Sequence, residues 1–143
     1  MQMRRRSFAL VLSLGLTLAA CGGQTSRLIT VQTGGSGGPI KLEVANSTGA
    51  PINSVFMAKH DRVKAALRHD SSGQETEGEQ VWGGDLLDKA IPAGVRLPVP
   101  VAEPGIWDIK ATDADGRYQH IASVKLQAGG QYILELYDSN WRP

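Results

Sequence analysis

Acyl transfer needs a nucleophile, a base and an orienting acid within reach of one another. Serines and aspartates are present, but no Gly-x-Ser-x-Gly elbow occurs. The three histidines, His60, His69 and His120, stand in no fixed relation to them. His60 and His69 are nine residues apart, which is not the i, i+4 spacing of helical metal ligands. Both read as solvated surface residues. Asp113-Ala114-Asp115-Gly116 begins like a calcium loop, with carboxylates alternating around a turn that glycine permits. The sixth-position Gly and twelfth-position Glu of an EF-hand are missing, and Asp-Gly is also the commonest tight hairpin turn. The hairpin is therefore the preferred reading, with Asp85 and Asp88 the only further carboxylates a calcium site there would find. Trp82, Trp107 and Trp141 could stack against a sugar, but Trp107 alternates with charged neighbours as core residues do. The balance favours a binding or structural protein without catalysis and without a cofactor.

Cys21 is the only cysteine of the 143 residues. Arg4-Arg5-Arg6 precede it as a positive region, Phe8 to Leu18 form an apolar stretch, and Leu18-Ala19-Ala20 lead directly into it. The apolar stretch suits a secretory signal and is too short to span a bilayer. The arrangement resembles the lipobox of bacterial lipoproteins. The resemblance implies a signal peptide over 1–20, a diacylglyceryl group on the Cys21 thiol, cleavage before Cys21 and acylation of the new amine. It also implies a cell-envelope location with the membrane as partner through the lipid. Gly22 replaces the Asp that retains some lipoproteins in an inner membrane, so the outer membrane facing the periplasm is preferred. Two or more acyl chains, at about 0.8 kcal/mol per buried methylene, suffice for stable attachment.

Acylation would consume the one thiol, leaving no disulfide, no free-thiol catalysis and no Cys-ligated metal. Losing residues 1–20 removes three arginines and no acid, leaving 12 basic against 14 acidic residues. So balanced a charge carries no basic stripe for nucleic acid.

The elements follow from hydrophobic period. Residues 21–39 read as a Gly-rich tether, with Gly34-Gly35-Ser36-Gly37-Gly38 in its second half. Free Gly-rich chain of this length would reach roughly 21–25 Å. Leu28-Ile29-Thr30-Val31 is β-prone and offers the alternative of an edge strand with the glycines as its hairpin loop. From Ile40 the period is two. Ile40, Leu42 and Val44 alternate with charges, Ile52 to Ala58 form a second strand, and Val95, Leu97, Val99 and Val101 a third. Pro98 and Pro100 send that third strand to a sheet edge. Trp107, Ile109 and Ala111 are expected to be buried. His120, Ala122 and Val124 are expected to share a face, and Tyr132, Leu134 and Leu136 to point inward. These last three strands read as a meander.

Two stretches depart from this period. Val63, Ala66 and Leu67 have helical spacing, which predicts a short helix in the 59–90 region, and Ser71 to Gln80 reads as a mobile loop. Asp85 is placed to cap a single helical turn burying Leu86, Leu87 and Trp82. The segment from Lys59 to Gln80 has a basic first half (Lys59, Arg62, Lys64, Arg68) and an acidic second half (Glu75, Glu77, Glu79). It is the candidate partner-binding element.

The prediction is an all-β antiparallel sandwich of about six to seven strands, immunoglobulin-like or transthyretin-like, over residues 40–143. Asn46-Ser47-Thr48-Gly49, Trp82-Gly83-Gly84-Asp85-Leu86-Leu87, Ile91-Pro92-Ala93-Gly94, Gly105-Ile106-Trp107-Asp108-Ile109-Lys110 and Asp113-Ala114-Asp115-Gly116, in this order, resemble a small β-sandwich domain of uncharacterised secreted bacterial proteins. The shared motifs are structural and imply no activity. The expected function is that of a lipid-anchored envelope lipoprotein acting as a binding or structural module. The alternatives are an accessory subunit of an envelope or secretion assembly, bound to an envelope protein, and a calcium- or glycan-binding module.

Overall fold

In β2 (Lys41–Ser47) every second side chain, Leu42, Val44 and Asn46, is buried, and β9 (Gln131–Tyr137) repeats the pattern with Tyr132, Leu134 and Leu136. The computed structural model describes residues 23–35, 37–66, 68–69, 75–76 and 81–143, so Cys21, Leu67, Glu77 and Glu79 lie outside the described residues. The other elements are β1 (Arg27–Gln32), β3 (Ile52–Lys59), α1 (His60–Ala66), β4 (Arg68–His69), β5 (Glu75–Thr76), β6 (Arg96–Val99), β7 (Gly105–Asp113) and β8 (Tyr118–Leu126). One sheet has the order β1-β9-β2-β6 and a second the order β3-β7-β8, while β4 and β5 pair only with each other. Leu42, Val44, Leu134 and Leu136 from the first sheet meet Ile52, Val55, Ile109 and Val124 from the second in one core. The chain is thus mostly β, sandwich-like, with one short helix in the expected region.

Two expectations about strand pairing are corrected. The sheets are not wholly antiparallel, because β2 and β9 run parallel, from Lys41 opposite Gln131 to Ser47 opposite Tyr137. Nor do the last three strands form a meander. β7 and β8 make the hairpin, but β9 crosses to the other sheet. A meander would keep all three apolar faces in one layer and leave the opposite layer without one of its two central strands. By crossing over, β9 sets Tyr132, Leu134 and Leu136 against Ile109 and Val124. It enters beside the start of β2, which fixes the parallel direction. β6 stands at the sheet edge as Pro98 requires.

Part of the glycine-rich lead-in is also structure. Arg27–Gln32 is an edge strand antiparallel to β9, so the edge-strand alternative holds and the tether reading fails for these residues. The glycine run is not its hairpin loop, because β9 lies between β1 and β2. Gly35 N–H instead donates to Ala128 O at 3.2 Å, and a Cβ on Gly34 would collide with that same carbonyl. Gly34 thus permits close backbone packing at this point.

Around Trp107, Ile109 and Ala111 are fully buried on the central strand of their sheet, but Trp107 is only half-buried. Its indole N–H donates to Glu103 O at 3.1 Å and Lys59 Nζ lies 4.5 Å from the ring centre, so one side faces the edge of the sandwich. Asp85 caps no helix. Its Oδ1 accepts from Val55 and Leu87 N–H, both at 3.0 Å, and fastens the 81–91 segment along the edge of β3.

Candidate functional site

The outward face of the three-stranded sheet holds the unusual chemistry. β3 runs straight into α1 with no intervening loop, so His60 begins the helix at the sheet end, opposite the start of β7. One turn on, Val63 is buried against Ala58 and Val81, with Ala66 and Trp82 beside them, forming a second small core outside the sandwich. α1 is thereby pinned over β7, where Asp108 points outward from the strand whose other face carries Ile109.

Asp108 is flanked by two imidazoles. His60 Nδ1 lies 2.7 Å from Oδ1 and His120 Nε2 lies 2.7 Å from Oδ2, while Ser123 N–H donates to Oδ1 at 3.0 Å. The Asp108 side chain is 2% exposed, against 29% for His60 and 18% for His120. Burial alone would raise the Asp108 pKa. The Ser123 N–H and the hydrogen bonds from His120 and His60 outweigh it and hold the carboxyl below its ordinary value. An ionised carboxylate only accepts, so Nδ1 of His60 carries a proton, and in the neutral imidazole Nε2 is the acceptor.

A β-bulge builds this geometry. Trp107 pairs with Val124 and Ile109 with Ile121, so Asp108 alone faces both Ala122 and Ser123. Ser123 takes up the extra residue at φ +57°, the one positive φ outside glycine among the described residues. That turn aims its N–H at Asp108. It also reverses the alternation of β8, so His120 points outward and Val124 is buried in the core. The expectation that His120, Ala122 and Val124 share a face is overturned here.

Ser123, His60 and Asp108 are the residue types of a hydrolase triad, and the structure brings together what sequence spacing left apart. Their geometry is a different one. Ser123 Oγ is 3.3 Å from His60 Nδ1 and 3.4 Å from Nε2. In the ring plane, two such nearly equal distances would drive the oxygen into Cε1, so the hydroxyl stands over the face of the ring. The Nε2 lone pair does not point at it. Ser123 N–H, a possible oxyanion donor, is already committed to Asp108. Beside the cluster, Trp82 meets His120 edge-on at 5.1 Å, and Lys110 Nζ lies 5.8 Å from the Trp82 ring centre and 5.1 Å from that of Tyr118.

The residues singled out from sequence lie elsewhere. Asp113 serves its hairpin, as the turn reading requires: Oδ1 accepts from Asp115 and Arg117 N–H at 3.0 and 2.9 Å, and Oδ2 pairs with Arg117 Nε at 2.6 Å. Asp115 is at the exposed hairpin tip, and Asp85 is taken up by the backbone, away from both. Among the described residues, no group of three or more His, Cys, Asp or Glu side chains could hold a metal ion. The tryptophans do not form one platform. Trp82 packs on the second core, while Trp107 and Trp141 pack on the main one, Trp141 under the Arg117 guanidinium at 5.3 Å. Lys59 pairs with Glu103 at 3.1 Å and is held to the sandwich edge, Arg62 is exposed on α1, and Arg68 pairs with Thr76 as His69 does with Glu75. Asp108 and Ser123 were missed. An acid between Trp107 and Ile109 looks like any outward strand residue, and no residue near Ser123 announces a bulge.

Compared with known proteins, the chain matches no family model, no curated protein and no solved structure.

Proposed function

We propose that this chain is a lipid-anchored module of the bacterial cell envelope that acts by binding, with the outward face of the three-stranded sheet as its working surface. One observation carries the binding role: a carboxylate 2% exposed sits on the outer face of a sheet, clasped by two imidazoles and by the N–H of a serine in left-handed conformation. Such a cluster adds little apolar burial, and backbone strain of this kind gathers where geometry serves a site. The arrangement orients His60 so that Nε2 of the neutral imidazole can accept from a hydroxyl or ammonium donor on a partner.

The anchor half of the reading rests on Arg4-Arg5-Arg6, the apolar stretch and Leu18-Ala19-Ala20-Cys21. No helix among the described residues is long and apolar enough to cross a membrane. Outer-membrane delivery belongs to the same proposal, as do the immunoglobulin-like or transthyretin-like class of the sandwich and its kinship with secreted bacterial β-sandwich domains. Of the two alternatives, an envelope protein partner is favoured over calcium or a glycan. The Asp113 oxygens are both engaged in the hairpin, and the tryptophans are dispersed.

The test is extraction of the native protein from membranes, with intact-mass analysis and co-purification of wild type and His60→Ala. An acylated Cys21 and a stoichiometric partner lost from a variant that still melts cooperatively are expected. An unmodified Cys21 removes the anchor, and a partner retained by His60→Ala removes this face as the binding surface.

A further inference from the structure

We infer that the Gln24–Ser26 end of the sandwich is held directly against the bilayer on a stalk of three residues or fewer, with the His60–Asp108 cluster turned away from the lipid. The inference rests on the acylation of Cys21 proposed above and concerns the surface that the lipid would bring into contact.

The chain is fastened to the body almost as soon as it leaves Cys21. Ser139 Oγ donates to Gln24 O at 2.5 Å, and Ser26 N–H donates to Asn140 Oδ1 at 2.7 Å. Ser26 Oγ donates to Gln119 Oε1 at 2.6 Å and accepts from Tyr137 N–H at 2.9 Å, while Gln119 Nε2 donates to Tyr137 O at 2.8 Å. Gln119 is fully buried, so this is an internal joint where the N-terminal segment, β8 and the end of β9 meet. β1 then continues the attachment along β9. After the proposed cleavage before Cys21, three residues, Cys21, Gly22 and Gly23, lead into the joint, and three residues of extended chain span at most about 10 Å. A free tether through residue 39 would have given roughly twice that as its mean reach.

The direction of the strands decides what faces the lipid. Arg142 bridges to Tyr118 in both directions, at 2.9 and 2.8 Å, and Tyr118 begins β8 just after the Asp113–Arg117 hairpin. The hairpin tip therefore shares the end where Ser26 is docked. Ser123 and Asp108 each lie five residues further along their strands, about 17 Å away at the usual rise. The packed glycine run, at Gly35 and Gly38 against Ala128 and Gly129, marks that same far end.

Acylation would leave no free thiol, so a single engineered cysteine labels cleanly. Full-length lipidated protein carrying Asp115→Cys or Lys125→Cys, each labelled with a dansyl donor, is reconstituted into phosphatidylethanolamine/phosphatidylglycerol vesicles containing a rhodamine headgroup acceptor. Severalfold higher transfer from position 115 than from position 125 is expected. Inserting a flexible stretch of about fifteen Gly and Ser residues between Gly23 and Gln24 should bring the two close to equality. Equal transfer without the insertion, or higher transfer from position 125, in vesicle-bound protein overturns the inference while leaving the anchor standing. Protein that stays off the vesicles with an unmodified Cys21 by intact mass overturns the anchor, and the inference with it.

Discussion

Replacing Asp108 by Asn keeps its shape and removes its charge, which makes it the sharpest probe of the outward cluster. The wild-type carboxylate accepts three hydrogen bonds, from His60, His120 and Ser123. Bonds to an ionised partner contribute about 1.5–3 kcal/mol, and neutral ones about 1 kcal/mol. An amide keeps its oxygen for His60 and Ser123 and turns its NH2 to His120, which must move its own proton to the other nitrogen to accept. Two bonds are weakened and one is remade, and the amide escapes part of the carboxylate's desolvation, so the net loss is about 1–2 kcal/mol at neutral pH. Asp108→Ala leaves the Ser123 N–H without its acceptor in the bulge. The partly exposed imidazoles can turn to water, so the expected loss is about 2–4 kcal/mol. The carboxyl has a lower pKa folded than unfolded, so its contribution is complete above the ordinary carboxylate range and fades as pH falls through the folded value. Urea denaturation followed by tryptophan fluorescence should therefore show a gap between wild type and Asp108→Asn that is full at pH about 7 and smaller at pH about 3. A gap of the same size at both values, or none at either, would refute the assignment of Asp108 as an ionised acceptor stabilising this face.

Three further outcomes are expected. Ile109→Ala, on the fully buried side of β7, should lower stability by about 2–5 kcal/mol, and Trp107→Ala by about 1–3 kcal/mol because one side of that ring is already open to Lys59; denaturant midpoints in the reverse order would place the core wrongly. Ser123→Gly relieves a left-handed conformation that disfavours side chains, so stability should rise by up to about 1 kcal/mol, and a clear fall would mean that the hydroxyl, not the backbone turn, matters. The Tyr137 hydroxyl donates to Glu135 at 2.8 Å, and that bond, followed by burial, raises its pKa. Its contribution is present at neutral pH and lost as pH rises through the raised value. An ultraviolet titration of the wild type should contain a late phase that is lost in Tyr137→Phe.

The layout of the strands was legible in the sequence because burial writes itself as period two. Leu42 and Val44, Ile109 and Ala111, and Leu134 and Leu136 all point where alternation puts them. Which strand pairs with which was not legible, because an inward-facing β9 satisfies the same pattern in a meander or across the core. The choice depends on what must lie opposite Ile109 and Val124, a question of layers rather than of any one segment. The candidate site was hidden for a related reason. Alternation assumes one residue against one, and a bulge sets two against one, so a single added position sends Val124 inward after His120 points outward. The same irregularity creates the site. In a regular ladder the Ser123 N–H would point within the sheet rather than at the Asp108 carboxylate. That carboxylate would then lack the backbone donor that helps keep it ionised while buried between two imidazoles. The residue at which the periodic reading fails is thus the one that gives the outward face its distinct chemistry.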